Sequence, residues 1–245
     1  MFDRRKFLSA GGALSASVLA VSPALSQAKK EPSKEVCKQS AKLQFREAKL
    51  YPGAAGTGTP RNEEVAKAFR LLFGVGSPTK PIDAAEYFSK LADKNKDQEL
   101  YREEWKSSRA NPLIVGFFGM TQTLPSDGDQ TAWCAAFVNF CMYSAGYIGT
   151  ESALSGSFRT YGEATTTPTR GDIVVFRNPG SAGDEGHGHV GFYFGEEQGR
   201  LQVLGGNQAS PGSTGGVKIA NFARSSGSLE LHSFRSAASF KKLTA

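Results

Sequence analysis

The feature that most constrains this chain is a helix-forming segment, residues 131–146, that carries a cysteine near its start. Its apolar side chains recur three and four residues apart, which is the spacing of one buried helix face. Gly146 fits the position after a helix end, because glycine readily takes a left-handed backbone. Cys134 then falls in the first turn, where free N–H groups and the helix dipole favour a thiolate. The residues of the apolar face are Phe137, Val138, Cys141 and Ala145.

Two downstream segments supply polar groups that can act with this cysteine. Residues 188–194 have the pattern of a strand and carry His189, and residues 202–207 form a second predicted strand that ends in Asn207. A thiol, an imidazole and a side-chain amide in this chain order favour a papain-like cysteine hydrolase. Spacing alone leaves the alternative open that the sulfur is buried structural sulfur and the histidine an ordinary strand residue.

Four motifs occur here in a fixed order. They are Trp-Cys-Ala-Ala-Phe-Val-Asn at 133–139, Gly-Asp-Ile-Val-Val-Phe at 171–176, His-Val-Gly-Phe-Tyr at 189–193 and Leu-Gly-Gly-Asn-Gln at 204–208. With these motifs the chain resembles the CHAP and NlpC/P60 superfamily of peptidoglycan-cleaving enzymes, over roughly residues 108–222.

The resemblance implies an α+β, papain-like fold in which a cysteine-bearing helix packs on an antiparallel sheet. It also implies hydrolysis of an amide bond in peptidoglycan, by an N-acetylmuramoyl-L-alanine amidase or a peptide endopeptidase. By the same resemblance, Cys134 is the nucleophile, His189 the general base and Asn207 the residue that orients the imidazole. Many members of the superfamily carry an acidic residue or a second histidine at the position of Asn207.

A second histidine lies two residues before His189. In a strand, His187 and His189 face the same side, so spacing lets either reach the cysteine, and only the resemblance favours His189. Asp184 and the two histidines are also candidate metal ligands, but their loop is rich in glycine and offers no fourth ligand. We therefore expect an enzyme without metal or cofactor, with His187 exposed in a loop.

The sequence upstream of the cysteine predicts helices. The first should be capped by Asn62 and end at Gly74, and the second should begin at Asp83 with a capping box. Residues 98–110 are charged and are predicted to be helical as well. The buried face of the first predicted helix carries Val65, Phe69 and Leu72.

Downstream of residue 110 the pattern changes to strands. Asn111 and Pro112 predict a helix start, because asparagine caps well and proline fits the first helical position. After the cysteine-bearing helix, apolar runs separated by short turns predict an antiparallel sheet, which gives an α+β class. The predicted strands are 173–176, 190–194, 201–204, 217–220 and 229–234.

The N-terminus looks like a twin-arginine export signal. Arg4 and Arg5 precede a soft apolar run of about 15 residues, which is shorter than the roughly 20 needed to span a membrane. Small residues before Ala28 fit cleavage after that position. We expect an exported protein, periplasmic or extracellular, that meets the twin-arginine translocase during export and has no stable membrane anchor.

These features divide the chain into four parts. Residues 1–28 are the predicted signal peptide, 29–61 a linker, 62–110 a helical segment and 111–245 the catalytic domain. The 62–110 segment is too short to hold much of a core of its own, so we expect it to pack on the catalytic domain.

Charge and cysteine content narrow the functional classes. The net charge is +6 for the full chain and +4 without residues 1–28, which carry +2. This charge fits an anionic partner such as peptidoglycan and fits an ordinary soluble protein equally well. No basic stripe with interleaved aromatic residues supports nucleic-acid binding. Three cysteines do not make a disulfide scaffold. Cys141 is expected to be a buried apolar residue, although a bridge to Cys37 stays open. The oligomeric state stays open as well.

Two other functions compete with the peptidoglycan hydrolase. One is a thiol hydrolase of the same fold that acts on a protein or a small amide. The other is a non-catalytic module that binds the cell wall, which has no need for Cys134, His189 and Asn207 together.

Replacement of Arg4 and Arg5 by lysine should leave the precursor in the cytoplasm, because the paired arginines are the export determinant. Cell fractionation and N-terminal sequencing of the exported form measure this. The mature wild-type chain should begin at Lys29, and unimpaired export of the double-lysine variant would contradict the assignment.

Overall fold

The computed structural model of the chain describes residues 58–91, 96–179, 186–209 and 213–244. The predicted signal peptide and most of the predicted linker lie outside these ranges. The possible disulfide partner Cys37 lies outside them too. The predictions for those parts therefore stay predictions.

Helices dominate the first half of the described residues and strands the second half. Short 3₁₀ turns follow several helices or connect them, including Leu100–Arg102, Gly128–Gln130 and Ser155–Thr160. The α-helices are α1 Asn62–Phe73, α2 Pro81–Ser89, α3 Lys96–Glu99, α4 Pro112–Phe117 and α5 Cys134–Ser144.

The strands form one antiparallel sheet, which confirms the predicted α+β class. Its six described strands lie in the order β1-β6-β2-β3-β4-β5. The five predicted strands are all present, and the two-residue strand β1 was too short for its sequence pattern to be recognised. The bounds are β1 Ala164–Thr165, β2 Ile173–Arg177, β3 Gly188–Glu197, β4 Arg200–Gln208, β5 Gly216–Phe222 and β6 Glu230–Arg235.

The cysteine-bearing helix α5 lies in the centre of the core. The predicted helix is confirmed, with Cys134 as its first residue and Gly146 in the left-handed region (φ 77°) just after its end. Eight of its eleven residues are buried, so the helix is enclosed on nearly all sides rather than on the single predicted face. It packs against β3 and β4 on one side and against α2 and α4 on the other.

An aromatic cluster joins the other helices to α5. Phe117 of α4 lies 5.2 Å from Phe88 of α2 and 5.2 Å from Phe137 of α5, measured between ring centroids. Trp133, which precedes α5, stacks on Phe117 at 6.0 Å. These four rings are fully buried. Their edge-to-face and stacked contacts make α2, α4 and α5 parts of one core.

The predicted buried face of α1 is wrong at Phe69, whereas Val65 and Leu72 are half-buried and Leu72 packs against the core. The helix buries Ala68 and Leu71, whereas Phe69 is 53% exposed. Two neighbouring apolar stripes run along this helix, and periodicity cannot choose between them. The contact with α4 makes the choice. The cap differs as well, because Arg61 rather than Asn62 holds the N-cap position.

Two other helix predictions need correction. Helix α2 begins at Pro81, two residues before the predicted start, with proline at the first helical position. Residues 98–110 do not form one helix, because helical structure ends at Arg102. Glu103 then forms an isolated β-bridge with Gly216, so tertiary pairing replaces the helical hydrogen bonds there.

Two buried polar side chains hold residues 100–111 in place. The Asn111 amide nitrogen donates to the carbonyl oxygens of Tyr101 (2.9 Å) and Glu103 (2.8 Å). One Asp129 carboxylate oxygen accepts from the backbone N–H groups of Trp105 and Asn111, each at 2.9 Å. Both side chains are fully buried. Asn111 also caps α4, as predicted, through the N–H of Leu113.

Asp129→Ala should lower the free energy of unfolding by about 2–4 kcal/mol, because it leaves the backbone N–H groups of Trp105 and Asn111 without their hydrogen-bond acceptor. Urea unfolding followed by tryptophan fluorescence measures this. Asp127→Ala is the matched control, since Asp127 is exposed, and should change stability by about 0.5 kcal/mol or less. Equal stability of the two variants would contradict the structural role of Asp129.

Candidate active site

The predicted nucleophile lies at the N-terminus of α5 and is buried. Cys134 is 5% exposed, and the backbone N–H groups of Val190, Ala135 and Cys134 itself point at its sulfur. Those hydrogen bonds lower the thiol pKa, but burial raises it more, so the pKa of Cys134 lies above its ordinary value. The sulfur is therefore a thiol, not a thiolate, in this resting geometry at neutral pH.

His189 lies on β3 beside Phe176 of β2 and is also buried. Its ring stacks on the ring of Phe222, with 5.2 Å between centroids and 18° between planes. Its Nε2 atom is buried and has no hydrogen-bond partner among the described residues. Burial lowers the pKa of this histidine to about 4, so the imidazole is neutral at pH 7.

The structure brings Cys134 to the backbone of His189 but not to its ring. The sulfur contacts the N–H of the peptide that joins His189 to Val190. Side chains alternate along β3, and Val190 faces the main core with α5. The His189 ring lies instead with Phe176 and Phe222, which belong to the second apolar cluster on the other face of the sheet.

Asn207 lies near the start of α5. Its backbone is in the left-handed region (φ 56°), at a register shift in β4. The amide orientation is assigned from the polar groups around it. With the nitrogen toward Glu104, the nitrogen donates to that carboxylate at 2.9 Å and the oxygen accepts from the Trp133 backbone N–H at 3.3 Å. These contacts do not include the His189 ring, so orientation of the imidazole by Asn207 stays a prediction.

Sequence reasoning did not single out Glu104. Its carboxylate accepts hydrogen bonds from the Trp133 indole N–H (3.0 Å), from the Gly215 backbone N–H (3.0 Å) and from Asn207. In the sequence it is one of several charged residues between 98 and 110, and no local pattern distinguishes it. Only the folded chain brings it to the start of α5.

Gly206 lets the sheet approach α5 closely. A Cβ atom at this position would overlap the Trp133 ring and the Cβ of Phe137. Trp133 lies in the core, since its side chain is fully buried. The glycine pair before Asn207 is thus part of the packing between β4 and the cysteine-bearing helix.

His187 is exposed, as expected for a loop residue. Its carbonyl oxygen accepts from the Arg159 side chain at 3.0 Å and from the Asn178 backbone N–H at 3.2 Å. Asp184, the other candidate ligand, lies outside the described residues. Within the described ranges, no group of three or more His, Cys, Asp or Glu side chains is placed to hold a metal ion.

Two further residues have structural roles. Cys141 is a fully buried free thiol, which confirms its predicted place in the core. Asp172 accepts hydrogen bonds from the backbone N–H groups of Thr169 and Ala237, each at 2.7 Å. Its side chain therefore closes a turn before β2, as a turn residue does.

Comparison with known proteins gives one match. The CHAP domain family matches residues 126–207, a segment that contains Cys134, His189 and Asn207 but not Glu104. This supports the CHAP and NlpC/P60 superfamily, and the α+β fold is consistent with it. The match shows that this segment is similar to peptidoglycan-hydrolase-like amidases and peptidases. No curated protein and no solved structure matches the chain. Among the described helices, none is long and apolar enough to cross a membrane.

His189 should make stability depend on pH between its unfolded pKa of about 6.5 and its folded pKa of about 4. In this range the unfolded chain binds the extra proton, so stability falls as pH falls. From pH 7 to pH 4.5 the loss due to His189 should be about 2–3 kcal/mol. His189→Gln should remove this part of the dependence.

Urea unfolding at pH 7 and pH 4.5 measures the effect as a difference between wild type and variant, in which the contributions of other groups cancel. The exposed His187, changed to Gln, is the matched control and should keep the wild-type dependence. An unchanged dependence in His189→Gln would show that His189 is not buried as a neutral ring.

Proposed function

We propose that this chain is an exported cysteine hydrolase that cleaves an amide bond of peptidoglycan, with Cys134 as nucleophile and His189 as general base. One observation carries the proposal. Within the segment that matches the CHAP domain, the sulfur at the N-terminus of α5 contacts the peptide that follows His189. This supports the proposal, because it brings the sulfur next to the backbone of the histidine.

The donors around the sulfur suit attack on an amide carbonyl. Cys134 forms a bond to the carbonyl carbon, and negative charge develops on the carbonyl oxygen. The backbone N–H groups of Cys134, Ala135 and Val190 already converge on the sulfur. We propose that one or more of them turn to the oxygen as charge moves there, which is the role of an oxyanion hole.

The base needs a second conformation. With a raised thiol pKa and a histidine pKa of about 4, proton transfer in the resting geometry is strongly uphill. We propose that β3 rearranges at His189, so that the imidazole leaves Phe222 and reaches the side of the sheet on which the sulfur lies. There it takes the thiol proton and later returns it to the leaving amine, after which water hydrolyses the thioester. The unpartnered Nε2 favours this, because leaving the stack breaks no hydrogen bond at that atom.

Asn207 is the third residue of the proposed site. The sequence resemblance favours contact with the imidazole, whereas its contacts to Glu104 and Trp133 favour a role at the start of α5. We propose that its amide holds that helix start in the resting enzyme.

The substrate and location rest on the CHAP match and on the sequence. The predicted export signal in residues 1–28 and the net charge of +4 that remains after its removal (+6 for the full chain less +2 for residues 1–28) support delivery to an anionic wall. The bond is that of an amidase or of a peptide endopeptidase, which differ in the groove and not in the nucleophile. The alternatives are a hydrolase of another amide and a wall-binding module.

Cys134→Ala should abolish release of soluble fragments from purified sacculi by the mature protein, because it removes the nucleophile. His189→Ala should lower the rate by about 10²–10⁴, and His187→Ala should change it little. Mass spectrometry of the fragments measures release and identifies the bond that is cut. Cys141→Ala is the matched cysteine control and should stay active.

Each alternative has its own outcome. Full activity of Cys134→Ala would end the proposed mechanism. Cleavage of a protein or small amide, with sacculi left intact, would support the hydrolase of another amide. Equal binding of sacculi by wild type and Cys134→Ala, without cleavage by either, would support the binding module.

A further inference from the structure

We propose that Glu104, which lies outside the segment that matches the CHAP domain, is a positioning residue for Cys134. It acts through Asn207 and Trp133 on the start of α5. The inference rests on the proposed function, because it assigns Glu104 a part in the reaction of Cys134.

The first step is the contact between Glu104 and Asn207. An ionised carboxylate only accepts hydrogen bonds, so it faces the nitrogen of the Asn207 amide. The amide oxygen must then point the other way, toward the Trp133 backbone N–H. Glu104 thus fixes which end of the amide meets the helix.

The second step concerns the start of α5. Trp133 holds the N-cap position, but its side chain makes no capping hydrogen bond. A Ser, Thr or Asp at this position would take an N–H group of the first turn. Here the Asn207 oxygen instead takes the N–H of Trp133, and the N–H groups of Cys134 and Ala135 stay directed at the sulfur.

The third step explains why the residue is a glutamate. Three donors converge on its carboxylate: the Trp133 indole, the Asn207 amide and the Gly215 backbone. Glu104 also donates its own backbone N–H to the Gly215 carbonyl oxygen at 2.9 Å, which anchors it from both ends. A glutamine would turn an NH₂ group toward at least one of these donors, so it cannot satisfy all three.

The test compares Glu104→Gln, Asn207→Ala and the double variant in the mature chain. The rate of Cys134 alkylation by iodoacetamide is measured against pH, with fragment mass spectrometry to separate Cys134 from Cys141. Turnover of sacculi gives kcat and KM for the same proteins. Glu103→Gln is the matched control, since it makes the same chemical change one residue earlier. Among the described hydrogen bonds, those of Asn207 and the Trp133 indole go to Glu104 and not to Glu103.

A loosened helix start turns donors away from the sulfur, so Glu104→Gln should shift the alkylation midpoint of Cys134 to higher pH, by about half a unit to one unit. The kcat should fall about tenfold with little change in KM. Asn207→Ala should shift the midpoint in the same direction. The double variant should show no more than the larger single effect, because both act through one contact. Glu103→Gln should match wild type.

Several outcomes would overturn the inference. A midpoint shifted to lower pH would mean that Glu104 acts only as a nearby negative charge, and an unchanged midpoint would mean a structural role alone. If Glu104→Gln does not fold, Asn207→Ala decides, and an unchanged midpoint there overturns the inference. A wild-type protein that leaves sacculi intact would contradict the proposed function. Alkylation needs no turnover, so the alkylation midpoint of Cys134 would still test the role of Glu104.

Discussion

The close packing of α5 between the sheet and an aromatic cluster is the constraint on which the rest of the structure depends. Gly206 lets β4 approach the ring of Trp133, and Phe117 stacks on that ring from the side of the preceding helices. A protein interior is close-packed, so the position of α5 is set on all sides at once. The start of this helix carries Cys134, and its place follows from the same contacts.

A network of hydrogen bonds fixes the orientation of the segments that this apolar packing brings together. Asp129 and Asn111 fix the segment that leads from α3 to α4, and that segment carries Glu104 to the start of α5. Apolar contacts are tolerant of small shifts, whereas hydrogen bonds are not. On our proposal the site holds a sulfur against an amide carbonyl and needs such directional contacts. Asn111 and Glu104, which supply part of them, lie outside the segment that matches the CHAP domain.

Burial dominates the electrostatics of the resting site. It raises the thiol pKa of Cys134 against three N–H donors, and it lowers the pKa of His189 to about 4. The thiol and the imidazole are therefore both neutral in this structure at pH 7. On our proposal, a rearrangement of β3 at His189 would take the imidazole out of its stack with Phe222, bring the pair together and return the imidazole to a more polar environment.

The sequence by itself determined the elements, because local rules govern them. The cap at Asn111, the start of α5 at Cys134, its end before Gly146 and the five main strands all follow from capping, turn and periodicity patterns. The sequence also determined the α+β class, which the order of helices and strands implies.

Tertiary structure alone decided the buried stripe of α1, the end of helical structure at Arg102, the direction of the His189 ring and the contact of Asn207 with Glu104. Each of these depends on partners far away in the chain. Glu104, for example, meets Asn207 across about a hundred residues. Periodicity reports which side chains share a face, but only packing chooses the face that is buried and the polar group that each side chain meets.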